Sequence, residues 1–398
     1  MPAVTAMGDR LGEWTLDELI GRGGMGRVFL ARDAEGSARA VKVILREDAE
    51  WMQMRSFVDE AMVAIRLRHP NIVRTFELGE EQGTFFLVME YVAGCSLDVL
   101  LDRMGARGKG IDPGLAAWIV CEIAAALEHA HSAEVIHRDV SPHNVLLGPT
   151  GDVKLTDFGI AKATGRAERT RTGVIKGKIR YMAPEQARGE EVDARTDVYA
   201  LALVLWQMLT LRRPFGDLAK SKLLRAVQRG GLQPPSTFAD DIPLAIEAPL
   251  MAALATDPAL RPHGAAAFAE RLRASLPTGG EAVSALTTLL FEFTGHEMHT
   301  ASMRTARDRE TRPEKSETRD LRPPRVSAEV TKRWTRDVEL LPVHEDAWSL
   351  EDEGGAMPTT SREVPLPRRP AMGMGAVAVV SFVVGIVIAG FIVWMLSG

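Results

Sequence analysis

An aspartate and an asparagine lie five positions apart, as Asp139 and Asn144, in His137-Arg138-Asp139-Val140-Ser141-Pro142-His143-Asn144. A carboxylate can accept a proton and an amide oxygen can hold a hard cation, so the pair suits a general base beside a metal ligand. A second acid, Asp157, ends the apolar run Val153-Lys154-Leu155-Thr156-Asp157-Phe158-Gly159 and offers a second metal ligand. Upstream, Ile20-Gly21-Arg22-Gly23-Gly24-Met25-Gly26-Arg27-Val28 contains Gly-x-Gly-x-x-Gly. Glycines at that spacing let backbone N–H groups approach anionic phosphates. Lys42 is the one charge within Ala40-Val41-Lys42-Val43-Ile44.

These groups need elements that hold them. Val135-Ile136 and Val145-Leu146-Leu147 are short apolar runs on either side of the Asp139 loop, which places it between buried strand-like pieces. The glycine segment runs into Val28-Phe29-Leu30-Ala31, which reads as strand, and Asp33-Ala34-Glu35-Gly36 reads as a hairpin turn. A dinucleotide fingerprint shares the glycine spacing but wants a helix directly after it. A flap between antiparallel strands is therefore the expected arrangement. Strands are expected over 38–45 and 85–89. Met54, Phe57, Val58, Ala61, Met62 and Ile65 recur at helical spacing, and Pro70 ends that helix. It carries two adjacent acids, Asp59 and Glu60. Further helices are expected over 115–131 and from Asp197 to Leu209.

In this order the motifs resemble the Hanks-type (eukaryotic-like) bacterial serine/threonine protein kinases over about residues 11–276. The H-R-D-x-x-x-x-N loop, the D-F-G at Asp157, His69-Pro70-Asn71-Ile72-Val73 and Ala183-Pro184-Glu185 all match. The resemblance implies an α+β, bilobal fold, with a small β-rich lobe carrying one main helix and a large helical lobe. It implies an ATP-dependent enzyme that phosphorylates protein Ser/Thr hydroxyls, with Asp139 as base, Lys42 on the phosphates, and Asn144 and Asp157 on Mg2+, for which Mn2+ is the alternative. ATP would lie against Ile20, Gly21, Arg22, Gly23, Gly24, Met25, Gly26, Val28 and Ala40, and against Met89, Glu90 and Val92 of the hinge. Glu60, with Asp59 as the competitor, would pair with Lys42 and orient it. Arg261 would pair with Glu185, and Asp197 would brace the catalytic loop. Thr170 and Thr172 are the expected activation-loop phosphorylation sites, whose phosphates would meet Arg138.

The chain departs from this family at two positions. The family's lysine two residues after the base is Ser141 here, and the threonine five residues before the A of A-P-E is Lys178. These family positions are neighbours in space, so Lys178 is expected to supply the missing ammonium near the γ-phosphate. His143 stands where many relatives that prefer basic substrates carry a glutamate, which leaves substrate preference open.

The formal net charge of −5 gives no basic bias, so nucleic acid is not an expected partner. Cys95 and Cys121 are the only cysteines and are expected to be reduced. Residues 1–10 read as a loose N-terminus and 277–370 as a largely disordered juxtamembrane linker, with a short helix expected over 281–293. Met372 to Leu396 is free of charge and longer than the roughly 20 residues that cross a bilayer. With Arg368 and Arg369 before it, residues 371–396 are expected to form a single inner-membrane span with the kinase cytoplasmic. Ser381, Gly385 and Ala389 form a small-residue stripe that suits a homodimer phosphorylating in trans.

Overall fold

The structure is a computed structural model that describes residues 6–23, 26–44, 58, 61–158, 179–294, 325–327 and 330. The chain divides into two units, Met1–Leu341 and Pro342–Gly398, and every described residue belongs to the first. Gly24, Met25, Asp59, Glu60, Thr170, Thr172, Lys178 and the expected span at 371–396 lie outside the described residues.

The small lobe is a sheet of strands β1 (Arg10–Leu11), β2 (Trp14–Gly23), β3 (Gly26–Arg32), β4 (Ala38–Val43), β5 (Thr75–Glu81) and β6 (Thr84–Met89). Its order is β1-β2-β3-β4-β6-β5, and all of these pairings are antiparallel. The hairpin between β3 and β4 turns at Asp33, whose carboxylate accepts from Glu35 N and Ser37 N while Gly36 takes φ +82°. One face of the sheet buries Leu16, Phe29, Val41 and Phe86. The other buries Ala40, Leu78, Phe85 and Leu87 against a helix, α1, of which Val58 and residues 61–64 are described.

The large lobe is built on three helices, α2 (Leu97–Ala106) and α3 (Pro113–Ser132) supplying one layer and α5 (Ala194–Thr210) the centre. Helix α3 starts where Asp112 accepts from Leu115 N with Pro113 at its first position, as an N-terminal cap should. Every residue of α5 from Thr196 to Thr210 is buried, so its sequence is apolar all round rather than striped. A small sheet, β7 (Cys95–Ser96), β8 (Val145–Leu147) and β9 (Val153–Leu155), lies under the cleft. Short helices α4 (Pro184–Arg188), α6 (Lys220–Arg229), α7 (Leu244–Ala253) and α8 (Ala265–Leu272) complete the lobe. Both cysteines are free thiols, and burial pushes the Cys121 thiol up to about 11.

Two readings of the sequence are corrected and one is met. Residues 6–10, assigned to a loose start, join the sheet: Gly8 N donates to Leu16 O, Leu16 N to Asp9 O, and Leu11 is fully buried. The short helix expected over 281–293 is met by α9 (Gly279–Thr294), which docks on the large lobe and buries Ala282, Leu286, Leu290 and Phe293 in its core. Within the stretch read as linker, β10 (Arg325–Val326) pairs in parallel with β5, and Val330 is buried. Among the described residues no helix is long and apolar enough to cross a membrane.

Candidate active site

The glycine flap is the β2–β3 hairpin, with Gly23 opposite Gly26. Its closeness to the sheet explains Gly26: a Cβ there would lie 2.1 Å from Val43 O, inside any real contact distance. Arg22 is exposed on this flap, and Ile20 remains 42% exposed although apolar. On the floor beneath, Ala40 and Met89 are buried and Val28 and Val92 pack against the same cluster. The hinge leaves β6 at Glu90, whose N–H donates to Arg74 O and whose carboxylate accepts from Arg74 N at 3.2 Å and pairs with Lys154 at 3.0 Å.

Lys42 lies on β4 between Val41 and Val43, with only 11% of its side chain exposed. Its ammonium is 2.8 Å from Asp157 Oδ1, across the cleft. The expected partner Glu60 lies outside the described residues, so the visible ion pair of Lys42 is with the acid of the D-F-G segment.

The catalytic loop is fastened by one carboxylate. Asp197, fully buried near the start of α5, accepts from His137 N and His131 Nε2 with Oδ2 and from Arg138 N with Oδ1, each at 2.8 Å. For both N–H groups to reach one carboxylate the chain must curl sharply, and Arg138 takes φ +63°. Gln186 Nε2 of α4 holds the other side of that residue by donating to Arg138 O. A left-handed non-glycine residue costs roughly 1–3 kcal/mol, and these contacts offset it. Asp157 is also left-handed, at φ +57°.

His137 joins the two acidic segments. Its Nδ1 accepts from Asp139 N at 3.2 Å, so the ring proton sits on Nε2 and donates to Thr156 O at 3.1 Å. Complete burial holds its pKa below the usual histidine value, against the pull of Asp197 and Asp139, so the ring is neutral at pH 7. Phe158 is buried against this ring with centroids 4.6 Å apart. Asn144 closes the loop: its Nδ2 donates to Asp139 O at 2.7 Å, and its backbone O accepts from Thr156 N. That bond fixes which end of the amide is nitrogen. The amide oxygen of Asn144 and the carboxylate of Asp157 are hard oxygen donors, the kind that suit a divalent cation.

Two contacts were not legible beforehand. His143 Nδ1 lies 2.5 Å from Asp98 Oδ2 at the start of α2, and this bond raises the His143 pKa against the effect of burial. Burial pushes the Asp98 carboxyl up, but hydrogen bonds from His143 and Ser96 outweigh it and leave its pKa lowered. Below the cleft, Asn71 Nδ2 donates to Glu122 Oε2 and Val153 O, Leu155 N to Asn71 O, and Val73 N to Leu155 O. The segment after α1 is thus bonded to the strand that delivers Asp157.

Arg261 and Glu185 form the expected buried pair, doubly hydrogen-bonded at 2.7 and 2.8 Å. Arg261 also donates to Ala255 O, Thr256 O and Arg195 O and lies over the Tyr199 ring. The glycine flap, Lys42 facing Asp157, and the Asp139 loop tied to the D-F-G segment share one cleft, and the family model described as the protein kinase domain matches residues 14–268. The chain belongs to the protein kinase domain family. It is 39% identical over 280 residues to the tyrosine-protein kinase MasK of Myxococcus xanthus, covering 67% of this chain and 43% of that protein. It is 38% identical over 254 residues to the serine/threonine-protein kinase PrkC of Bacillus subtilis, covering 62% of this chain and 38% of that protein. The chain thus spans about two fifths of the length of these curated relatives. Among solved structures, the Mycobacterium tuberculosis PknI kinase domain matches at 31% identity and TM-score 0.54, over 68% of this chain and 98% of that one.

Proposed function

We propose that the protein is an ATP-dependent serine/threonine protein kinase anchored to the inner membrane by residues 371–396. The observation that carries the reading is the convergence of Lys42, Asp157, Asn144 and Asp139 on one cleft through a short chain of hydrogen bonds. Ile20, Val28, Ala40 and Met89 offer an apolar slot for an adenine ring. The glycine flap and Lys42 would hold the phosphates, and Glu60 would orient that lysine.

Asn144 and Asp157 would hold Mg2+, which when bound neutralises phosphate charge. Asp139 accepts the proton of the substrate hydroxyl as that oxygen bonds to the γ-phosphorus and the bond to the ADP oxygen breaks. Its position is set by the clamp on Arg138 and by the Asn144 amide. Ser141 is buried beside the base. An ammonium near the transferred phosphoryl group is then expected from Lys178, and near-normal turnover of purified, pre-phosphorylated Lys178→Met would exclude that exchange.

A second reading rests on MasK, whose name states tyrosine specificity. Mass-spectrometric mapping of modified residues after incubation with Mg-ATP, with Asp139→Asn as control, separates the readings. Phosphorylated Thr170 or Thr172 absent from the control supports serine/threonine transfer and autophosphorylation. Phosphotyrosine supports the alternative, and no incorporation leaves only a nucleotide-binding scaffold. The charge-free run and Arg368-Arg369 support the span, and Ser381, Gly385 and Ala389 support a dimer that would phosphorylate in trans. Removal of the span without any change in the autophosphorylation rate on membranes would count against that dimer.

A further inference from the structure

Strand β5 would be the open edge of the small-lobe sheet, but β10 covers it. Arg325 stands opposite Glu77 and Val326 opposite Leu78, in parallel, and Ser327 N donates to Leu78 O at 3.0 Å. The local sequence Pro323-Pro324-Arg325-Val326-Ser327-Ala328-Glu329-Val330 suits this course. Ser327 Oγ accepts from Val330 N at 3.3 Å, as a serine does at the first turn of a helix.

The second anchor is Val330, which is 3% exposed. It packs in the cluster that holds α1 on the sheet, with Val58, Ala61 and Ile65 from the α1 region and Phe85, Leu87 and Met89 from β6, and Val326 packs at its margin. This cluster sets the position of α1 on the sheet. In the docked structure Lys42 and Asp157 face one another at 2.8 Å and Phe158 is buried against His137. The docked arrangement is therefore the one with its cleft groups assembled.

We infer that the groove between the β5 edge and α1 is a docking site for a short strand followed by an apolar anchor three residues after its last serine, and that its occupant is this chain's own Arg325, Val326, Ser327 and Val330. Main-chain pairing at β5 sets the register of the segment, and Val330 fills the apolar gap between helix and sheet. Occupation secures α1, so turnover depends on a stretch of chain outside the kinase fold proper. Movement or sequestration of the linker that carries this segment would then be felt in the cleft.

The test uses the full chain and Val330→Asp, with Val330→Ala as a milder variant and Arg325→Ala as an exposed control on the same strand. Amide exchange is followed over residues 61–65 and 75–81, and turnover on a protein substrate is measured in parallel. Loss of a buried valine is expected to shift the docked population by roughly tenfold or more. Exchange should rise and turnover fall by that order in Val330→Asp, with Val330→Ala intermediate and Arg325→Ala unchanged. Unchanged exchange in Val330→Asp would overturn the docking. Raised exchange with unchanged or increased turnover would overturn the coupling alone. The turnover arm rests on the kinase reading, and failure of that reading would show as no turnover in the unsubstituted chain.

Discussion

Asp197→Asn isolates how the catalytic loop is held. The carboxylate accepts from His131, His137 and Arg138, all at 2.8 Å, in a fully buried site. An asparagine amide has the same shape but only one acceptor oxygen. That oxygen satisfies most donors at the Oδ2 position, where two of the three bonds converge, so the amide nitrogen then meets Arg138 N–H donor to donor. A buried donor left unpaired costs about 1–3 kcal/mol. The left-handed Arg138 adds its own strain of roughly 1–3 kcal/mol, which that bond helped to offset. The residue next to Asp139 then relaxes, and a loss of about 2–3 kcal/mol in the transition state corresponds to a fall in kcat of roughly 30- to 150-fold. KM for ATP should hold, since Asp197 touches neither the flap nor Lys42. The assay is steady-state phosphorylation at saturating ATP, with amide exchange at Arg138 as the structural readout. A kcat within about threefold of the parent, with Arg138 N–H still protected, would refute the reasoning.

Other perturbations follow from the same structure. Arg261→Met strands the buried Glu185 carboxylate and should cost about 3–5 kcal/mol, a fall in melting temperature on the order of 10 °C by calorimetry. Burial pushes the Glu185 pKa up, but the Arg261 hydrogen bonds outweigh it, so the folded value lies below the ordinary 4.5. Its stabilisation is therefore complete above that pH and lost as pH falls through the lowered value, and Glu185→Gln should flatten this acid limb of the melting temperature. His143 behaves in the opposite sense: its folded pKa is raised above the ordinary 6.5, chiefly by Asp98. That contribution is full below 6.5 and disappears as pH rises through the raised value, so the melting-temperature profile of His143→Asn should lose a step on the neutral-to-alkaline side. Gly26→Ala should raise KM for ATP, because its Cβ would push the flap off Val43 O; an unchanged KM would show that the flap accommodates it elsewhere.

The cleft was legible in the sequence because its groups stand on motifs whose order along the chain matches their order in the fold. The Asp197 brace and the Arg261–Glu185 pair could be named for that reason. What escaped had no local signal. Arg138 and Asp157 are left-handed, yet neither residue type marks that conformation as glycine would. His143 and Asp98 meet only because α2 and the catalytic loop are packed together. A two-residue strand such as β10 is too short to show alternation, and its burial depends on an edge at β5 that exists only once the sheet has formed. Residues 6–10 failed as a disordered start for the same reason, since their partner is the backbone of β2 rather than any side-chain pattern.

The bonding of residues 71–73 to β9 has a mechanical consequence. The two lobes meet at the hinge that leaves β6 and again where Asn71 and Val73 pair with Leu155 while Asn71 reaches Glu122 of α3. A body hung at two points turns about the line through them and resists other motions. Asp157 lies two residues beyond Leu155, close to that line, whereas the flap at Gly23 and Gly26 lies at the far end of the lever. The cleft would then open by a wide swing of the flap over an Asp157 carboxylate that keeps its place, so opening leaves the lower half of the site assembled.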